Sequence, residues 1–379
     1  MSIHVPVYRL PYSQKDISYV NENITRILER GYLTDGGPTV SEFENKWNKF
    51  LKIENSISVN SCTTGLQAIL QCIGVENKSV IVPNYTFYAS PMSVINEGGR
   101  VIFCDISKET LSISLEAIKK SVREDTKAVM IVHVGGTITD EIHEIREYCD
   151  RTGLYLIEDA ACAAGSEFKG KKAGTFGHAS VFSFHHSKVL TTGEGGMICT
   201  NNEDWAQQLR KIRAIGLDRS INNWEVFCKG SNYKMSEISA VLGILHTNKA
   251  PQIIKERQDI AERYDNEIIF RNGISKFVLP EGCESSYYKY VIRTANSKIK
   301  QIIKERMSEA NVELPPSIYD YNCNKCSFSK HERVLNDDAI FPNSEYMSEH
   351  HFCLNMYNGL LSQEIDHIIK SINNITHNL

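Results

Sequence analysis

The sequence predicts an α/β fold, a mixed and mostly parallel seven-stranded sheet flanked by helices, followed by a smaller C-terminal α+β domain. Three observations carry this. Between about residues 55 and 201, short continuous apolar runs alternate with helical patterns. That is how strands buried on both faces read when helices cover them. At 379 residues the chain exceeds one average core, so two domains are expected. Beyond residue 201 the alternation stops and a helix-rich segment takes over.

The strand candidates, in order, are Ser56–Val59, Ser79–Val82, Val101–Cys104, Ala128–His133, Leu154–Glu158, Ser180–Phe184 and Met197–Thr200. Amphipathic stretches at Gly65–Ile73, Leu115–Val122 and Asp140–Asp150 supply connecting helices. After them come a helical segment from Glu237 to about Phe270, a strand-like YYKYVIRT (287–294), a helix over Lys298–Ala310 and a last helix over Ser362–Ile375. We expect a large domain over residues 1–250 and a small one over 251–379, dividing near Ala250–Pro251.

Composition narrows the function class. A hydrophobic share of 41% suffices for a large core. The net charge of −4, without a long run of one sign, argues against a nucleic-acid or anionic-membrane partner. The eleven cysteines are odd in number and scattered, and MSIHVPVYRL lacks the apolar core of a secretory leader. They read as reduced thiols of a cytoplasmic protein. No apolar stretch approaches the roughly 20 residues a membrane helix needs.

In parallel sheets ligands bind beyond the carboxyl ends of the strands, so those ends are the places to inspect. Val59 leads into NSCTTGLQAIL, where Ser61, Thr63, Thr64 and Gly65 open a helix. Free N–H groups, hydroxyls and the positive end of a helix dipole suit a phosphate. Plain N-capping by Ser or Thr is the commoner use of such residues. The run Leu154–Glu158 ends in Asp159 and the small-residue stretch AACAAG, where a carboxylate either faces a ligand or caps the next helix. SVFSFHHSKVLTTGEGG (180–196) runs from an apolar strand through Ser183 to Lys188 and a glycine-rich turn. A phosphate cradle, a carboxylate and a lysine on one sheet edge are what pyridoxal 5'-phosphate (PLP) requires. The first anchors it, the second keeps its ring nitrogen protonated, and the third forms the Schiff base. YTFYAS offers Phe87 and Tyr88 as aromatic cover for the ring.

Six stretches then resemble the DegT/StrS-type sugar aminotransferases, which are PLP enzymes of fold type I. They are GYLTDGGPTVSEFE (31–44), NSCTTGLQAIL (60–70), VIVPNYTFYAS (80–90), LIEDAACAAGSEFKGKKAGTFG (156–177), SFHHSKVLTTGEGG (183–196) and GSNYKMSEISAVLG (230–243). The resemblance implies that Lys188 carries PLP and that Asp159 pairs with its ring nitrogen. It implies phosphate contacts from Thr63, the backbone of Thr64 and Ser183, a stacked Phe87, and His185 beside the cofactor. It implies that Asn232 reaches the phosphate of a neighbouring subunit, hence a homodimer with shared sites. The Gly31–Gly37 loop, with Tyr32 and Thr34, and the region of Tyr319 would then form the sugar pocket. The implied reaction moves an amino group from glutamate to a nucleotide-linked keto sugar. A cyclitol ketone acceptor, or a catalytically weak binding paralogue, are the alternatives.

Three departures from the family pattern bear on the substrate. Cys162 stands where glutamine or histidine usually bonds the PLP phenolic oxygen, and a thiol is a short, weak donor. RAIG (213–216) places Ile215 where histidine is usual. IYDYNCNKCSFSKH (318–331) lacks the usual histidine of a substrate loop. Within it, Cys323, Cys326 and His331 have the spacing of half a zinc site. Zinc needs four ligands, and only His350 and Cys353 are near, in what reads as a core element. We expect no metal there, and a surface loop with two free thiols.

Overall fold

The seven apolar runs become seven strands, each within two residues of its expected limits. They are β1 (Asn55–Val59), β2 (Ser79–Pro83), β3 (Arg100–Cys104), β4 (Thr126–Val132), β5 (Tyr155–Asp159), β6 (Ala179–Ser183) and β7 (Gly196–Thr200). The structure, a computed structural model, describes residues 3–34, 37–218, 225–335 and 339–379. One sheet holds all seven in the order β1-β7-β6-β5-β4-β2-β3. β7 runs antiparallel to β1 and β6, and the other pairs are parallel. This is the α/β architecture that the alternation predicts.

Successive residues of a strand point to opposite faces. Ile81, Val129, Ile131, Leu156 and Phe182 enter one core, while Val80, Val82, Met130, Ile157 and Val181 enter the other. The helices follow the chain as α1 (Gln14–Arg30), α2 (Pro38–Leu51), α3 (Cys62–Ile73), α4 (Ala89–Asn96), α5 (Leu115–Ser121), α6 (Ile142–Thr152), α7 (Glu203–Arg213) and α8 (Glu237–Glu267). Phe43 and Trp47 of α2 and Ile142 of α6 cover the first face, while Leu66 of α3 and Leu209 of α7 cover the second. Both faces of the sheet are therefore dry, and a polar group at a strand end faces a prepared edge.

A three-stranded antiparallel sheet, β8 (Ile274–Lys276), β9 (Tyr290–Thr294) and β10 (His351–Leu354), backs the smaller unit. Helices α9 (Ser297–Glu309), α10 (Pro342–Glu349) and α11 (Ser362–His377) accompany it. Its core gathers Ile260, Tyr264, Ile292, Ile303, Phe352 and Ile368, together with Val5 from the N-terminus. Val5 N–H donates to the Asn311 carbonyl at 2.9 Å, and the Val5 carbonyl accepts from Glu313 N–H at 3.0 Å. The expected division at Ala250–Pro251 falls inside α8, a single 31-residue helix. Ala240 and Ile244 of that helix pack in the first core, and Ile260 and Tyr264 in the small-unit core. A helix shared in this way leaves no compositional mark of a boundary, and the N-terminal residues pack far from their neighbours in sequence.

The Gly37–Pro38 start of α2 has a tertiary explanation. Glu237, fully buried at the start of α8, accepts from Thr39 N–H at 3.1 Å and Val40 N–H at 2.9 Å. It thereby caps α2 from another helix, since Gly37 has no side chain to do so. A Cβ at residue 37 would lie 2.3 Å from the Glu237 carboxyl. Arg30 completes the pair at 2.8 Å, with its side chain 37% exposed. Glu237→Ala should lower unfolding free energy by about 2–3 kcal/mol, less than a fully buried pair would lose because Arg30 is partly wet. Urea unfolding tests this, and a loss below about 1 kcal/mol would contradict it.

Candidate active site

A cavity of about 600 Å³ opens at the carboxyl edge of the sheet. Its floor comes from the ends of β5 and β6, the start of α3 and the turn before α4. Tyr288, Lys289, residues 315–319, Leu354 and Met356 of the small unit form the opposite wall, and Val7 and Tyr8 close a third side. Of the residues singled out in the sequence, Thr63, Phe87, Asp159, Cys162, Ser183, His185, Lys188 and Tyr319 line it together.

Asp159 is the last residue of β5 and is 5% exposed. Its Oδ2 accepts from Ser90 Oγ at 2.8 Å and its Oδ1 from Ala161 N–H at 3.1 Å. Cys62 Sγ lies 3.9 Å from the same Oδ1, and burial together with Asp159 pushes that thiol well up. Neither Ser90 nor Cys62 was signalled by the sequence, because each meets Asp159 only through the fold.

Lys188 follows β6 in a tight turn, its N–H donating to the His185 carbonyl at 2.9 Å. Its Nζ lies 3.3 Å from Cys162 Sγ and 4.4 Å from the centroid of the Tyr288 ring. Burial disfavours the ammonium, but Cys162 and Tyr288 outweigh it and hold the amine above its ordinary value. Cys162 thus meets the lysine directly, a contact the sequence did not suggest. His185 pairs through Nδ1 with Ser187 Oγ at 2.9 Å, and its Nε2 lies 3.8 Å from Glu194. Burial, then His186, hold its pKa below the usual value, while Glu194 pulls upward.

Ser61 caps α3 by accepting from Thr64 N–H at 3.2 Å. Ser61 and Thr63 face the cavity, whereas the Thr64 hydroxyl turns away to Asn60 Oδ1 at 2.6 Å. A Cβ at Gly196 would lie 2.7 Å from the Ser61 carbonyl carbon, so glycine lets β7 pass against this cradle. Phe87 packs on Tyr88 at 4.1 Å between centroids and is 45% exposed.

Thr64, Asn232, Tyr32 and Thr34 lie outside the cavity of this chain. The Asn232 carbonyl accepts from Asn60 Nδ2 at 3.2 Å, on the surface beside the start of α3. Thr34 pairs with Ser236, and the Leu33 carbonyl accepts from Glu237 N–H at 3.0 Å, which ties their loop to α8. Asp35 and Gly36 of that loop lie outside the described residues. Ile215 adopts a positive φ of 64°, costly for a β-branched residue, and is exposed.

The expected surface loop of free thiols needs correction at Cys323. Its side chain is fully buried in the second core, and its Sγ lies 3.4 Å from the Thr86 carbonyl. Cys326 Sγ lies 3.5 Å from the Asn322 carbonyl, and His331 Nδ1 accepts from Arg333 N–H at 3.1 Å. Cys353 sits in β10. Among the described residues no three His, Cys, Asp or Glu side chains converge as a metal site would require.

The donor set fits PLP on its own chemistry. A helix N-terminus with two hydroxyls, a buried carboxylate on two donors, an amine and an aromatic ring share one cavity. Residues 14–373 match the model of the DegT/DnrJ/EryC1/StrS aminotransferase family. The chain belongs to that family. It is a PLP-dependent aminotransferase. Among its relatives is the GDP-perosamine synthase of Vibrio cholerae, 34% identical over 265 residues, covering 70% of this chain and 71% of the relative. The spore coat polysaccharide biosynthesis protein SpsC of Bacillus subtilis (strain 168) is 29% identical, covering 97% of each chain. Among solved structures, the aminotransferase TlmJ from Streptoalloteichus hindustanus superposes with a TM-score of 0.87 at 26% identity, covering 99% of each chain.

The 315–319 wall of the cavity hangs on a buried histidine. His351 Nε2 accepts from Ile318 N–H at 3.0 Å, and its Nδ1 contacts the Met347 carbonyl, so Nδ1 carries the proton. Burial, with Lys300 next, lowers its pKa to about 4, against upward pulls from Met347 and Asp320. The neutral form is the folded form, so stability is complete above the unfolded value of about 6.5 and is lost as pH falls toward 4. The stability difference between wild type and His351→Gln should therefore shrink by roughly 2 kcal/mol from pH 7 to pH 4.5. Urea unfolding at both pH values measures it, and a constant difference would contradict it.

Proposed function

We propose that this aminotransferase transfers the amino group of L-glutamate to a keto sugar carried on a nucleoside diphosphate, in the making of a cell-surface polysaccharide or a related amino sugar. The observation that carries the reading is the meeting of Lys188, Asp159 and the α3 N-terminus in one cavity. Relatives named for GDP- and dTDP-sugar chemistry and for coat polysaccharide synthesis support the substrate class.

PLP supplies an electron sink for breaking the bond to the transferred proton. The chain's residues do the rest. Ser61, Thr63 and the first turn of α3 would hold the phosphate against the helix dipole. Asp159, fixed by Ser90 and Ala161 N–H, would pair with the ring nitrogen and hold its proton. Lys188 Nζ would bind the coenzyme and would carry a proton to and from the carbon bearing the transferred nitrogen. A non-catalytic binding protein would need no such lysine beside such a carboxylate.

Leu28, Tyr32, Leu33, Ile215, Val226, Phe227 and Ile238 are large apolar side chains that are all exposed. A second copy of the chain would cover surface of this kind, which supports a homodimer in which Asn232 and the Tyr32–Thr34 segment serve the partner's site. None of the helices among the described residues is long and apolar enough to cross a membrane. Eleven free thiols suit the reducing cytoplasm.

The test is purified holoenzyme with L-glutamate and a panel of keto sugars on GDP, dTDP and UDP, with a free cyclitol ketone as comparison. We expect 2-oxoglutarate release to depend on one of the nucleotide sugars. Release with the cyclitol ketone alone would overturn the reading.

A further inference from the structure

Two lysines face the active-site cavity, and the cofactor accounts for only one. Lys188 and Lys289 are the cavity's lysines among the described residues, and no arginine lines it. Lys289 Nζ lies 5.5 Å from the centroid of the Tyr288 ring, on which Lys188 Nζ also sits at 4.4 Å. The two amines are therefore at most 9.9 Å apart, the sum of those distances. Lys289 Nζ donates to the Pro316 carbonyl at 3.2 Å, its one hydrogen bond among the described residues. Lys289 also borders a smaller cavity of about 230 Å³, but Pro316 lies in the wall of the active-site cavity and not of the smaller one. The amine's partner thus belongs to a residue of the active-site wall.

A second cation stands behind this wall. Arg257 of α8 is 2% exposed, with Nη1 donating to the Tyr287 and Met356 carbonyls at 3.0 Å and Nε to Asn358 Oδ1 at 2.9 Å. Burial pushes its pKa down to about 10, which leaves it charged at neutral pH. Its hydrogen bonds go to carbonyls and an amide, so its charge is not cancelled by a bonded carboxylate. Lys289 is therefore the small unit's charged residue in this cavity, while the acids there, Asp159 and Glu194, come from the large unit.

We propose that Lys289 receives a carboxylate of the amino donor. The inference rests on the reading of an amino acid as donor. One ammonium matches one carboxylate, whereas a nucleoside diphosphate carries two negative charges and would call for more than one cation. Because the two amines are at most 9.9 Å apart, an amino acid whose nitrogen reaches the Lys188 position can set a carboxylate against Lys289. The carbonyl of Pro316 is a neutral partner that the amine exchanges for an anion without leaving a buried carboxylate unpaired. Lys289 acts in binding and positioning, not in the proton transfers.

The two half-reactions separate this from other roles. Holoenzyme in the PLP form is mixed with L-glutamate, and the aminated form with the keto sugar nucleotide, each followed by the visible absorbance of the cofactor. Lys289→Met should raise the glutamate concentration for half-maximal rate by ~10- to 100-fold, the scale of one charge-assisted hydrogen bond. Lys289→Arg should restore it to within ~5-fold of wild type, since the charge is kept. Retained cofactor absorbance shows that each variant is folded. Binding of glutarate, a dicarboxylate without an amino group, should weaken in parallel by calorimetry. Unchanged glutamate dependence in Lys289→Met overturns the inference, as does an equal or greater loss in the sugar half-reaction, which would assign the lysine to the diphosphate. A wild-type enzyme that reacts with no amino acid overturns the donor reading itself and this inference with it.

Discussion

Asp159 holds a carboxylate almost out of water at the end of a strand whose two faces are both dry. That placement is costly unless the oxygens have partners. Ser90 Oγ and Ala161 N–H supply them, and hydrogen bonds to a charged group are worth roughly 1.5–3 kcal/mol each. The rest of the site is arranged around this point. β6 lies beside β5 in register, with Asp159 opposite Val181. The turn that follows β6 therefore delivers Lys188 to the same edge. β1, two places along the sheet, ends where α3 begins and brings the phosphate cradle alongside. The parallel sheet thus converts three distant sequence positions into one cavity.

The two sides of that cavity have different origins. The large unit supplies the groups proposed to hold PLP, from strand ends that cannot shift without disturbing the core. The small unit supplies the opposite wall, from the lead into β9 and the loop 315–319. That loop is pinned by His351 through Ile318, and Tyr8 reaches across from the N-terminus to the His186 carbonyl. The substrate side therefore depends on loop contacts and the cofactor side on the sheet.

The sheet was legible because each strand is a continuous apolar run, a signal that needs no tertiary context. Lys188, Asp159 and the α3 N-terminus were legible for the same reason, since strand ends of a parallel sheet share an edge. Ser90 was not. It lies in α4, eight residues containing a proline, and meets Asp159 across 69 positions of chain. Lys289 reads as one more polar residue in a strand pattern, and only the placement of the small unit brings it within reach of the cofactor lysine. Glu237 looks like the ordinary first residue of a helix, and nothing local shows that it caps α2 instead. The division at Ala250–Pro251 was illegible because α8 belongs to both cores, and proline did not interrupt it.

The central claim is that Lys188, and not the other lysine of the cavity, bears the cofactor. Borohydride reduction of the holoenzyme followed by peptide mass spectrometry tests it without any substrate. A pyridoxyl group on the peptide containing Lys188 is the predicted result. The same mass on Lys289, or on a lysine outside the cavity, would contradict the assignment of the site.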